Sequence, residues 1–333
     1  MINKRESLVL IDGNSLLNVC FYGNLPYEYK NAKSQEEKDK YKDLIQKNSK
    51  GEYINGIYTM SIKMLEIFHK INPNYMAIAW DSTVDTFRKK IYSEYKSGRK
   101  EKDPLLIPQL KNAPIFFNEL GIKNLRIDTF EGDDIIGTIA RKSYLENQDL
   151  LIYIITKDQD LLQLINDRTF VFLYTQKDKL KTLNYTYKPK KSLNGAFCYN
   201  STRLLNEYNL TPSQIIDFKA LVGDKSDNIK GVDGLGEKTI KPLLQGFKDI
   251  ENIYQFIESH TDEEIKSYGK MIGLKKFPIN TFKNGKKDAF DSKKLVSIKK
   301  DIPITITLKD LSINIDNNKF KQIFKKYEFN DLY

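Results

Sequence analysis

Along the first half of this sequence, short apolar runs alternate with helical patterns, and most of the runs stop on an acid. Leu8, Val9, Leu10 and Ile11 lead into Asp12. Residues 76–80 end at Asp81, residues 125–130 at Glu131, and residues 151–156 lead through Lys157 to Asp158, with a further run at 170–174. Between them, Ile57, Met60, Met64 and Phe68 share one face of a helix over 56–71, and Ile135, Ile136 and Ile139 point inward from 135–145. Runs apolar throughout, separated by amphipathic helices, predict βαβ units and an α/β fold around a central, mostly parallel sheet.

In such a sheet, ligands bind in the crevice at the carboxyl ends of the strands. Parallel strands would therefore gather Asp12, Asp81, the Glu131, Asp133 and Asp134 group, and the Asp158 and Asp160 pair. Asp224 and Asp227, in Gly-Asp-Lys-Ser-Asp-Asn after a helical apolar stretch, make a fifth acidic motif. Taken singly, an aspartate after a strand is a helix cap or turn former. Five motifs in strand-end order are hard to reach by that route alone. Carboxylates so crowded repel one another unless a multivalent cation neutralises them, and hard oxygen ligands select Mg²⁺ or Mn²⁺. Two such ions roughly 4 Å apart can activate water and stabilise an in-line phosphoryl displacement.

Composition narrows the chemistry further. His69 and His260 are the only histidines, and Cys20 and Cys198 stand far apart. That argues against a histidine general base, a His/Cys zinc site and a disulfide framework, and points to reduced thiols in an intracellular protein. The net charge of +10 and pI near 9.1 call for a polyanionic partner. No apolar run is long enough to span a bilayer, and no signal-peptide core opens the chain. The abundance of Lys, Asn, Tyr and Ile reads as the coding bias of an AT-rich genome.

Two basic or glycine-rich segments suit nucleic acid. If residues 86–100 are helical, Arg88, Tyr92, Lys96 and Arg99 fall on one side, with Tyr95 adjacent. Cations there would contact phosphates, and tyrosines would stack on unpaired bases. Gly231, Gly234 and Gly236, followed by Lys238 and Thr239, have the G-x-x-G-x-G spacing of a helix-hairpin-helix turn, whose amides can hold a phosphate.

The order of these motifs resembles the bacterial-type 5′ nuclease (flap endonuclease) family, found at the N-terminus of DNA polymerase I and as a free protein. Asp12-Gly13-Asn14-Ser15, Thr86-Phe87-Arg88, Tyr95-Lys96, Glu131-Gly132-Asp133-Asp134, Asp158-Gln159-Asp160, residues 222–229 and residues 231–239 carry the likeness. Asn48-Ser49-Lys50-Gly51 and residues 295–303 add to it, so the likeness runs almost end to end. It implies a PIN-like or resolvase-like sheet, a helical arch at about 82–117, and a C-terminal helix-hairpin-helix domain. It also implies Mg²⁺-dependent cutting near the 5′ end of flapped, nicked or RNA-primed DNA. Asp12, Asp81, Glu131, Asp133 and Asp134 would hold a first metal and Asp158, Asp160, Asp224 and Asp227 a second. Lys96 and Arg88 would engage the scissile phosphate, and the glycine turn would hold duplex, with K⁺ bound there in such proteins.

Some residues depart from the family pattern. Gly132 stands where alanine is common, which would loosen a helix start; Asp233 replaces a frequent proline and adds a negative charge. Residues 27–47, 177–200 and 259–287 stand outside the motifs and read as inserted or diverged, the first two as polar surface segments. The expected layout is a nuclease core over 1–205, a helix-hairpin-helix domain over 206–290, and a segment 291–333 returning to the core. No polymerase follows, so a free-standing monomer is expected. It would work in bacterial cytoplasm or a plastid-like, DNA-bearing organelle, with the insertions favouring the latter. A PIN-type ribonuclease would lack the glycine turn and long basic segment, a silent DNA-binding module would have lost acids, and a haloacid-type phosphatase would need an aspartate where Asn14 stands.

Overall fold

The computed structural model describes residues 5–175 and 192–332. Six strands form one sheet: β1 (Ser7–Asp12), β2 (Tyr75–Ala79), β3 (Lys123–Leu125), β4 (Leu151–Thr156), β5 (Thr169–Tyr174) and β6 (Ala196–Tyr199). Their order is β3-β2-β1-β4-β5-β6, with β1 to β5 parallel and β6 antiparallel on β5. Connections run outward in opposite directions from β1 and β4, which places the topological crevice at the ends of those two strands.

Both faces of the sheet are covered, so β1, β2, β4 and β5 carry continuous apolar runs rather than alternating ones, while the short edge strand β3 is Lys-Asn-Leu. Leu8, Leu10, Ala77, Ile152, Ile154 and Val171 face the Gly132–Glu146 helix and the helices that follow β6. Val9, Ile11, Ile78, Trp80, Ile155 and Phe172 face a layer containing the Gly13–Asn24, Asn55–Ile71 and Leu106–Glu119 helices. The first cluster continues without a break into the helical unit, whose Pro212–Val222, Glu237–Gly246, Ile250–Ser259 and Ile279–Val296 helices contribute Ile215, Ile240, Ile253 and Phe282. The last of these helices runs through position 290 uninterrupted.

Three expectations are corrected. The run at 125–130 is not a strand: β3 ends at Leu125, and Thr129 adopts φ 69° in the loop that follows. Arg126 and Asp128 are polar residues that a strand buried on both faces would not accept. Within 177–200, residues 196–199 form the edge strand β6, whose Tyr199 and Ala196 are buried; residues 177–191 lie outside the described residues. The 27–47 segment is not wholly surface, because Tyr29 and Ile45 are buried in the second cluster.

The chain ends by returning to the sheet's second face. Phe116 packs its ring against Phe324, Tyr327 and Phe329 at 6.3, 4.8 and 5.3 Å between centroids, and Lys326 pairs with Glu119 at 2.7 Å. Among the described residues, no helix is long and apolar enough to cross a membrane. Phe116 is fully buried, so Phe116→Ala is expected to cost about 3–5 kcal/mol of stability. Urea unfolding of the two proteins measures it; a loss below about 1 kcal/mol would mean that the C-terminal segment contributes little.

Candidate active site

The acids converge where the topology places them. Asp12 closes β1 and caps the helix behind it, accepting from the Ser15 amide at 2.9 Å through Oδ1 and from the Thr156 hydroxyl at 2.9 Å through Oδ2. Asp81, just past β2, accepts the Gly132 amide at 3.0 Å, while its own amide donates to Asn14 Oδ1. Asp158 follows β4 and accepts the Asp160 amide at 2.9 Å. Glu131 and Asp133 arrive at the start of the Gly132–Glu146 helix, and Asp224 from the loop after Pro212–Val222. Together with Asn14, Ser15, Asn18 and Lys157 they line a cavity of about 800 Å³. Lys96, Arg99, Lys100, Lys102, Lys219 and Lys225 complete its wall.

Crowding marks this floor electrostatically. Burial, then the charge of Asp81 and that of Asp158, push the Asp12 carboxyl up to about 7. Asp133 is raised well above the carboxylate range by burial and by Asp158, Asp12 and Asp81. Asp160 is lifted to about 7 by burial and Asp158, against the pull of Lys219. Asp224 has the opposite outcome: burial raises it, but the Lys219 ammonium and the Ser226 donors bring it down to about 2. Among the described residues, no three acids are gathered at ligand distance around one point, and the Asp133 carboxylate is balanced only at longer range, by the Lys96 charge. Mutually repelling oxygen donors lacking a counter-charge are the donor set that a hard divalent cation fits.

Cations hold the outer acids in place. Lys219 bridges Asp160 and Asp224, at 2.6 Å from the latter. Lys96 donates to Glu131 at 2.7 Å, and Arg99 to Asp227 at 2.6 Å. Lys219 was not among the sequence candidates. Its signal was a single lysine in the otherwise largely apolar end of a helix five residues before Asp224.

The basic segment departs from expectation. Only Phe87–Ile91 is helical. Residues 93–98 form turns, and Lys96 adopts φ 59°, its amide donating to the Asp227 carbonyl at 2.9 Å. Consequently the expected stripe does not form. Arg88 is 2% exposed and faces inward. It grips Asp134 with two bonds of 2.7 and 2.8 Å, reaches Glu131 at 3.3 Å, and donates to the Leu295 and Ser297 carbonyls. Asp134 in turn accepts the Glu131 and Lys299 amides. Its acceptor positions are taken, so it orients the helix start and Arg88 rather than facing the cavity. Tyr95 is likewise buried, with its hydroxyl 3.1 Å from both Glu131 and Asp227, not available to stack on a base. Tyr92 is half-buried against the core, whereas Arg99 is exposed at the rim.

The glycine turn joins the site at close range. Gly223 and Gly231 both have positive φ, and a Cβ built on Gly231 would lie 2.3 Å from the Gly223 amide nitrogen. Gly231 is therefore required by a chain crossing. Gly236, at the start of Glu237–Gly246, faces open space, and a Cβ on Gly234, also at positive φ, would meet the Thr281 methyl at 3.7 Å; exposed Lys238 and half-buried Thr239 lie beside them. Asp233 is exposed there. A Cβ on Gly132 would sit 3.4 Å from Asp81 Oδ1, an ordinary contact.

Residues 7–192 match a family described as 5′-3′ exonuclease, N-terminal resolvase-like domain, and residues 210–319 match 5′-3′ exonuclease, C-terminal SAM fold. The 5′-3′ exonuclease of Buchnera aphidicola is 34% identical over 328 residues, covering 97% of this chain and 98% of its own. DNA polymerase I of Bacillus subtilis is 30% identical over 332 residues, 99% of this chain but 32% of the polymerase. The chain thus spans about a third of the length of the polymerases it matches. Among solved structures, a zinc-bound 5′-exonuclease of bacteriophage T5 has a TM-score of 0.59 at 17% identity, covering 97% of this chain and 98% of that one, a likeness of fold.

Arg88→Met should leave Asp134 as a buried, uncompensated charge and destabilise the protein by about 3–5 kcal/mol. Thermal unfolding reads this directly. A melting temperature matching wild type would contradict the assignment of Arg88 to the framework.

Proposed function

The chain belongs to the 5′-3′ exonuclease family, and from that premise we propose that it is a structure-selective 5′ nuclease, removing flaps and primers near the 5′ end of branched or nicked DNA. The observation that carries the reading is the floor of carboxylates that line one cavity, where burial and the charges of Asp81 and Asp158 raise the proton affinity of both Asp12 and Asp133. Such a floor has little use for an uncharged ligand.

Asp12, Asp81, Glu131, Asp133 and Asp158 would hold Mg²⁺, and Asp224 would join them from the helical side. When bound, the ions would supply an activated water and neutralise charge building on the phosphate. Lys96, Arg99 and Lys219 balance the outer acids now, and all three line the wall from which a phosphodiester would enter. Exchanging a carboxylate for a phosphate oxygen would let each keep a charge-assisted bond. Asp160 and Asp227 keep these lysines and Arg99 aimed inward. Gly234 and Gly236 would offer amides, Lys238 its ammonium and Thr239 its hydroxyl to duplex backbone, a sequence-independent hold. The protein would act as a monomer, since all these groups come from one chain.

Asp133→Asn should lower Mg²⁺-supported flap cleavage by about a thousandfold, a loss of several kcal/mol of charge stabilisation, while flap affinity in Ca²⁺ changes little. The assay compares a 5′-flap, a nicked duplex and single-stranded RNA, each with Mg²⁺ or EDTA. Flap- and nick-selective cutting abolished by EDTA is the expected pattern. Cutting confined to RNA would favour a PIN-type ribonuclease, and binding without cutting a silent module.

A further inference from the structure

Residues 27–47 carry none of the acidic or glycine motifs, yet Tyr29 on the short Tyr27–Asn31 helix is 1% exposed. Its hydroxyl donates to the Asp103 carboxylate, 3.0 Å from Oδ2, and Asp103 is itself buried. The Leu105 amide also donates to Asp103, at 3.0 Å. The Lys38 ammonium stands 3.4 Å from the carboxylate and 5.2 Å from the centroid of the Tyr29 ring. An aspartate just ahead of a helix is satisfied by backbone amides and water. Here it is covered instead by a tyrosine and a lysine from a segment more than sixty positions away in sequence.

Asp103 is one foot of the basic segment. A second clamp lies beside it: Gln109, 1% exposed, accepts the Gly56 and Ile57 amides and donates to Asn55. Upstream, Arg88 and the Tyr95, Lys96 and Asn228 contacts pin the other side of the segment. The stretch left between these anchors holds Arg99, Lys100 and Lys102, the cationic rim of the cavity. Its position is set from both ends, and only the Asp103 end depends on residues 27–47.

Resting on the reading above, we propose that residues 27–47 are a selectivity element. Through Tyr29 and Asp103 they fix the downstream foot of the cationic rim, and so set which 5′ ends pass it. Tyr29 touches no reacting atom; it is a positioning residue. With the foot held, the gap suits a short, nick-like end. With it released, the rim can swing outward and admit a longer single strand, while the acids, anchored through Tyr95 and Lys96, stay in place.

The test measures kcat and KM for wild type, Tyr29→Phe, Asp103→Leu, the double variant and Lys38→Met, on a nicked duplex and on a long 5′-flap with Mg²⁺. Tyr29→Phe should leave kcat on the nick within about twofold and shift the flap-to-nick ratio of kcat/KM toward the flap by roughly tenfold, the size of one hydrogen bond to a charged group. Asp103→Leu, which removes the acceptor, should shift the ratio the same way by at least as much, and the double variant no further than Asp103→Leu alone, because both sever the bond between Tyr29 and residue 103. Lys38→Met, at a side chain one-third exposed, should move the ratio the same way by less, and serves if a buried change prevents folding. An unchanged ratio, or equal losses on both substrates, overturns the proposal. A wild type that cuts neither substrate overturns the nuclease reading beneath it.

Discussion

A guanidinium with almost no exposure to solvent, bonded to a carboxylate on two prongs and to two carbonyls from a distant helix end, is the joint on which this structure turns. Arg88 brings together the start of the basic segment, the first turn of the Gly132–Glu146 helix and the end of the Ile279–Val296 helix. Each contact is charge-assisted or made to an otherwise unpaired helix-terminal carbonyl. Burying such an ion costs desolvation that only complete pairing offsets, and here pairing is complete. With Arg88 fixed, Asp134 is fixed, and through it the helix start that presents Glu131 and Asp133 to the cavity. The geometry of the cavity floor thus depends on a cation that is buried away from the cavity.

The same logic divides the acids into two populations. Glu131, Asp160, Asp224 and Asp227 each have a basic partner within hydrogen-bond distance. Asp12 and Asp133 have none and carry the strain of proximity instead. A cation entering the floor would therefore meet unbalanced charge at the centre and a balanced ring around it. That gradient favours a small, hard ion placed between β1 and β4.

The sheet was legible because β1, β2 and β4 are apolar on both faces and amphipathic helices stand between β1 and β2, β2 and β3, and β3 and β4; Asp12, Asp81 and Asp158 followed from that pattern. The glycine turn was legible from spacing. The roles of Arg88, Tyr95 and Lys219 were not, because each is decided by partners far away in sequence: Arg88 by Leu295 and Ser297, Tyr95 by Asp227, Lys219 by Asp160. A local helical wheel places Arg88, Tyr92 and Lys96 on one surface, but the left-handed backbone at Lys96 breaks the wheel, and no single-residue propensity foretells that conformation for a lysine. Residues 126–130 misled for a related reason. Leu125, Ile127 and Phe130 suggest a strand, while Arg126 and Asp128 among them fit only a loop.

Gly223 and Gly231 cross back to back, and the Asp224 and Ile229 backbones exchange hydrogen bonds of 2.8 Å in both directions just beside that crossing. Neither chain can slide past the other without a collision. The loop carrying Asp224 and the turn that would grip duplex are therefore one rigid piece. On the proposed reading, the protein carries a built-in ruler: the interval between the gripped backbone and the cut bond is set by van der Waals contact.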